Sequence, residues 1–157
     1  MQQNFNWPDF TPPGQGGGTQ NPYLDWLGVR LAAWTDEYAE MHLRLVPQVT
    51  NRSARVHGGV LCTLLDSVAG YSGCFRPEGE PLLHSVTLSL TTQFLDSRDG
   101  TWLIARGKPE RLGRTVFFAR SEVWLDGEYL LASASGTFKY IRHKTSGIKP
   151  VETPIIE

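Results

Sequence analysis

The stretch Val56–Cys74, VHGGVLCTLLDSVAGYSGC, constrains this chain more than any other. It predicts one apolar helix entered through a His57-Gly58-Gly59 turn, with Asp66 as the only charge between Gly58 and Phe75. With Gly58 as the first helical position, residues 60, 61, 64, 65, 68, 71 and 75 form a stripe of Val, Leu, Tyr and Phe. Asp66 points away from that stripe. Its neighbours there are Gly59, Cys62, Ala69, Gly70 and Gly73 rather than Lys, Glu or Gln. A helix apolar on one side and small on the other is expected to be enclosed on both, with room for a backbone or a ligand to come close. A lone carboxylate in such a place is unfavourable unless it is paired or used.

The rest of the chain supplies what such a helix packs against. Its 157 residues, 40% of them apolar, suffice for one domain with a core. A net charge of −1 gives no reason to expect nucleic acid or a membrane surface as the main partner. No apolar run approaches the ~20 residues of a membrane span. The start, MQQNFNWPDF, lacks the basic and apolar regions of a secretory signal, so a cytoplasmic protein is expected. Cys62 and Cys74, twelve residues apart on the predicted helix, would lie roughly 18 Å apart, too far for a disulfide. Without Cys-x-x-Cys or His-x-x-x-His, no metal site is expected.

Taken in order, residues 1–22 are rich in Gly, Pro, Gln and Asn and predict a flexible N-terminal arm in which Trp7 and Phe10 could dock. Residues 28–35 and 38–46 alternate as strands around a Thr35-Asp36-Glu37 hairpin, and Pro47 ends the second. Pro77, Gly79 and Pro81 close the helix. Strand signals follow over 83–95, 102–111, 115–125 and 129–141. Turns at Asp96–Gly100, Leu112-Gly113 and Asp126-Gly127 separate them, and Gly107 and Pro109 suggest an edge or a bulge. Residues 146–157 read as a loosely held tail. The predicted class is α+β: one long helix against an antiparallel sheet of about six strands, the last four in a meander.

Several residues could carry chemistry. The unpaired amides at a helix start attract negative charge, and glycine lets a ligand approach, so Gly58 suits an oxyanion hole as well as a plain tight turn. Asp66 suits a general base or nucleophile, or a structural hydrogen bond. The two lie eight residues apart, about 12 Å along the helix. Both cannot serve one carbonyl, because attacking group and oxyanion donor must each sit within ~3 Å of the reacting atoms. If both act, Gly58 of one subunit meets Asp66 of another, and a two-fold dimer supplies two such sites. Asn51 could hold the carboxylate or merely bond its own loop. His57 could donate to a substrate or fix the turn, and Thr87 could join the site or face solvent. Arg106, Lys108, Arg111 and Arg114 gather around the Gly113 turn, where they could bind phosphate or form a solvated edge.

Together these residues resemble the hotdog-fold acyl-CoA thioesterases of the 4-hydroxybenzoyl-CoA thioesterase superfamily, in particular the phenylacetate-pathway (PaaI-like) branch. The resemblance spans roughly 23–140. It rests on Asn51, five intervening residues, His57-Gly58-Gly59 and then Asp66, with Thr87 seven residues before Phe94. The Arg111-Leu-Gly-Arg114 turn and the Ala-x-Ala-x-Gly-Thr-Phe ending at Phe138 are similar to the family's later strands.

The resemblance implies a hotdog domain over 23–145 that hydrolyses an acyl-CoA without metal or redox cofactor. Asp66 would activate water or attack the thioester, and Thr87 of the same chain would orient that step. The facing subunit's Gly58 amide would hold the carbonyl oxygen, with Asn51 and His57 beside it. Arg106, Lys108, Arg111, Gly113 and Arg114 would meet CoA phosphates. It also implies a homodimer or a dimer of dimers. A non-catalytic acyl-CoA-binding protein is the rival reading, against which the enclosed acid speaks. A hotdog hydratase would carry Asp-x-Asn-x-x-His, which this sequence lacks.

Overall fold

A computed structural model describes residues 7–141 of the chain. A short helix, α1 (Pro22–Leu27), precedes the hairpin of β1 (Arg30–Trp34) and β2 (Ala39–Arg44). The long helix α2 (Gly58–Ser72) follows, then β3 (His84–Phe94), β4 (Trp102–Leu112), β5 (Val116–Leu125) and β6 (Tyr129–Ile141). The six strands form one antiparallel sheet in the order β1-β2-β4-β5-β6-β3, and α2 packs across it against β2 through β6. The expected α+β architecture is thus the observed one, a hotdog fold.

The helix stripe does what its periodicity predicts. Leu61, Leu64, Leu65 and Val68 are buried in one cluster with Met41, Leu43, Leu103, Ala105, Val123 and Leu131. Each such side chain contributes about 1.5–3 kcal/mol of burial. The helix stops at Ser72 with Gly73 as cap, so Phe75 lies beyond it. Gly107 lets the helix approach, since a Cβ there would lie 2.3 Å from the Val68 carbonyl oxygen. It sits in a central strand, not at an edge. The edge begins just after it: pairing with β2 ends at Gly107, and the register with β5 slips between Pro109 and Arg111.

The expected four-strand meander is corrected. Of the last four strands, only β4, β5 and β6 are joined as successive neighbours, while β3 pairs along its length with β6 at the far edge of the sheet. The Asp96–Gly100 segment is therefore a crossover rather than a hairpin turn. It passes the tip of the β5–β6 hairpin, where the Asp126 carboxylate accepts hydrogen bonds from the Thr101 and Trp102 amides. That hairpin matches its Asp-Gly signal, with φ of 52° at Asp126 and 75° at Gly127.

The expected flexible arm is docked over its described part, 7–21. Trp7 Nε1 donates to Glu122, the Thr11 amide donates to Glu40, and Phe10 meets Trp124 edge-on. Gly17 and Leu31 exchange backbone hydrogen bonds of 3.1 and 3.0 Å. Few apolar residues suffice here because the sheet face beneath is itself polar. It holds Glu40, His42 and Arg106, all buried, with Arg106 Nε 2.7 Å from Glu40 and His42 Nε2 2.8 Å from it. The missed helix α1 has ordinary signals: Asn21 caps it, Pro22 starts it, and Gly28 ends it at φ 90°. The expected tail, 146–157, lies outside the described residues.

Candidate active site

Asp66 sits in the middle of α2, half-buried, on the side away from the apolar stripe. Its carboxylate accepts a hydrogen bond of 2.7 Å from Thr87 Oγ1 of β3. A bulge in β3 sets up this contact. The register with β6 shifts between Thr87 and Ser89, so Ser85 and Thr87 before it and Leu90 and Thr92 after it all turn towards the helix. Thr87 is therefore more than a strand-surface residue.

Asp66 and Thr87 both line a cavity of about 510 Å³. Trp34, Tyr71, Leu83 and Phe138 give it an apolar lining, and Ser67, Ser85 and Cys74 add small polar groups. Trp34 and Tyr71 form a tilted ring pair 5.3 Å apart, with Trp34 Nε1 donating to the Tyr71 carbonyl. Burial raises the Tyr71 phenol above its ordinary pKa, and does the same to the Cys74 thiol. The residues from Leu82 to Ser85 enter this cavity because β3 lies beside β6, which no local sequence signal reports.

The turn that opens α2 lies outside this cavity. His57 is the N-cap, and its Nδ1 accepts from the Gly59 amide at 2.9 Å, so its ring fixes the turn. The His57 carbonyl accepts from the Val60 amide. Gly58 keeps an amide with no acceptor among the described residues. A Cβ at Gly58 would touch only the Phe94 ring, at 3.6 Å. Asn51 organises its own loop: its Oδ1 accepts from the Ser53 and Arg55 amides at 2.9 and 3.2 Å. Within one chain, then, Asn51, His57 and Gly58 form one group, and Asp66 and Thr87 another.

The basic cluster divides as well. Arg106 is removed from the expected phosphate site, because it is 1% exposed, bound to Glu40 and to the Pro8 carbonyl, and stacked 3.8 Å from the Phe10 ring centre. Strand alternation turned it inward under the arm. Arg111, Gly113 and Arg114 are exposed at the β4–β5 turn, and Lys108 is half-buried. This turn lies at the cavity's end of the sheet. Val116 pairs with Lys139, which pairs with Val86, so two strand spacings, about 10 Å, separate Val116 from the residue beside Thr87.

Fold and site together define a hotdog protein with a carboxylate set beside a cavity at an open sheet edge. The thioesterase superfamily matches residues 54–132, from the loop before α2 into β6. A Pseudomonas aeruginosa protein named as a candidate esterase is 37% identical over 120 residues, which is 75% of this chain and 87% of that one. This chain belongs to the thioesterase superfamily. Two solved structures are similar in fold. A Haemophilus influenzae thioesterase has a TM-score of 0.69 at 20% identity, covering 78% of this chain and 84% of that one. The E. coli PaaI protein of the phenylacetic acid degradation operon has a TM-score of 0.68 at 19% identity, covering 78% and 86%. The thioesterase expectation holds at the level of family. Among the described residues no helix is long and apolar enough to cross a membrane.

Proposed function

We propose that this protein hydrolyses an acyl- or aryl-CoA thioester to a carboxylic acid and free CoA, as a member of the PaaI-like branch. The observation that carries this reading is the Asp66–Thr87 hydrogen bond of 2.7 Å beside the cavity. Asp66 takes the proton of a water whose oxygen adds to the thioester carbon; the C–S bond then breaks and the CoA thiolate is protonated. In the nucleophilic variant the carboxylate itself adds, CoA leaves, and water hydrolyses the resulting anhydride. Single turnover in ¹⁸O-water identifies the nucleophilic variant: label in the Asp66 carboxylate requires an anhydride cleaved at the Asp66 carbonyl, because a general base takes up no solvent oxygen.

The oxyanion donor is the Gly58 amide of a second subunit, with Asn51 and His57 shaping its turn. Support comes from geometry: about 12 Å of helix separates Gly58 from Asp66 in one chain. The outer edge of β3 is available for a two-fold partner, and Val86, Leu88, Phe94 and Leu95 along it are exposed. A homodimer joined there, further assembled as a dimer of dimers, would bring the two groups together. Arg111 and Arg114 at the Gly113 turn, with Lys108 nearby, would receive the CoA phosphates. A CoA substrate and two unbridged cysteines fit a cytoplasmic protein.

The test is thiol release from a panel of aryl-, short- and medium-chain acyl-CoAs. Asp66→Ala should lower turnover by roughly 10²–10⁴-fold while leaving the fold intact. Full activity in that variant overturns the role of Asp66. Binding without release from any thioester would favour the non-catalytic reading.

A further inference from the structure

The cavity beside Asp66 has one wall that the helix and the sheet do not supply. Gly18, Thr19, Gln20 and Asn21, from the segment before α1, line it together with Thr87 and Ser85. This segment is fastened at several points. Thr19 is 3% exposed; its amide and its hydroxyl both donate to Asp25 Oδ1, at 2.7 and 2.8 Å. Its carbonyl accepts a 2.7 Å hydrogen bond from the Tyr71 hydroxyl, on the same helix as Asp66. Just upstream, the Gly17 bridge to Leu31 and the Arg30 hydrogen bond to the Gly16 carbonyl, 2.6 Å, hold the chain against β1. Asp25 does not line the cavity, so its part is to hold Thr19.

We propose that the 18–21 segment closes the acyl pocket and sets the longest acyl chain it accepts, with Asp25 as a positioning residue acting through Thr19. This rests on the thioesterase reading above. Main chain clamped on both sides cannot retreat as a flexible side chain would, so a chain that reaches it meets a fixed stop. Each methylene that such a pocket accepts or refuses is worth about 10- to 200-fold in kcat/KM. Releasing the clamp should therefore change which chain lengths fit before it changes the chemistry at Asp66.

The experiment compares kcat/KM across butyryl- to dodecanoyl-CoA for the wild type, Asp25→Ala, Thr19→Val and Asp25→Asn. The wild type should decline beyond a definite length. Asp25→Ala and Thr19→Val should raise the long-to-short ratio by at least about tenfold, through a lower KM for the long chains. Asp25→Asn keeps an oxygen acceptor for both Thr19 donors and should retain the wild-type ratio. A clamp important only for stability would lower every substrate alike. An unmoved ratio, or a wild type with no length limit, overturns the proposal.

If the wild type cleaves no thioester, the thioesterase reading fails by itself. The wall is then judged by calorimetric binding of the free butanoic to dodecanoic acids to the same proteins. A length limit that shifts in Asp25→Ala upholds the wall, and one that does not shift refutes it.

Discussion

Thr87 Oγ1 donates to the Asp66 carboxylate over 2.7 Å, joining the outermost strand of the sheet to the middle of the helix. A hydrogen bond to a charged group is worth about 1.5–3 kcal/mol. Thr87→Val should therefore lower kcat/KM by roughly 10- to 150-fold, while Thr87→Ser retains most of it. Thermal melts of both variants check that each still folds cooperatively, so that a loss in kcat/KM is not a loss of folded protein. Steady-state kinetics on the best-cleaved acyl-CoA reads the difference.

Gly58 is the first residue of α2, the position where proline is tolerated, and His57 before it is extended at φ −69°, ψ 134°. Gly58→Pro thus removes the proposed oxyanion donor with little strain on the helix. It should cost roughly 10²–10³-fold in kcat. Refolding equal amounts of Gly58→Pro and Asp66→Ala chains together should restore about one quarter of wild-type activity, since half the dimers are mixed and each carries one intact site. No recovery on mixing would argue against sites shared between subunits.

Burial alone would raise the Glu40 carboxyl. The His42 hydrogen bond, the Arg106 charge and hydrogen bond and the Thr11 amide overcome that and hold it below its ordinary value of 4.5. A depressed carboxylate stabilises the fold above its unfolded pKa, and that stability is lost as pH falls through the lower folded value. Melting temperature should therefore decline as pH drops below about 4.5. Glu40→Gln should flatten that decline. At neutral pH it should destabilise by about 3–5 kcal/mol, because Arg106 stays buried without its counter-charge. Melts across the acid range measure both.

Gly107→Ala tests how closely the helix lies on the sheet. A methyl there would sit 2.3 Å from the Val68 carbonyl oxygen, and backbone must move to admit it. A loss of about 1–3 kcal/mol in denaturant unfolding is expected.

The parts legible in the sequence are those with local causes. The periodicity of 60–71 places the buried face of α2, and the Asp126-Gly127 pair places a hairpin whose two residues must both adopt positive φ. Asn21-Pro22 with Gly28 are equally local signals, for the six-residue helix α1. Glu40, His42 and Trp34 gave no local signal as site or cluster members, because their neighbours come from β4, β5 and the arm.

The sequence by itself determined an enclosed helix with one acid, an α+β class, and the roughly 12 Å of helix that keeps Gly58 and Asp66 of one chain from meeting a single carbonyl. Helical rise and side-chain periodicity are properties of the local chain. Tertiary structure alone decided that β3 lies beside β6, that its bulge aims Thr87 at Asp66, that Arg106 turns inward beneath the arm, and that residues 18–21 wall the cavity. Each depends on which distant strands pair and on the face that register presents. Hydrophobic patterning and turn chemistry limit that choice, but the packing of the whole sheet against α2 makes it.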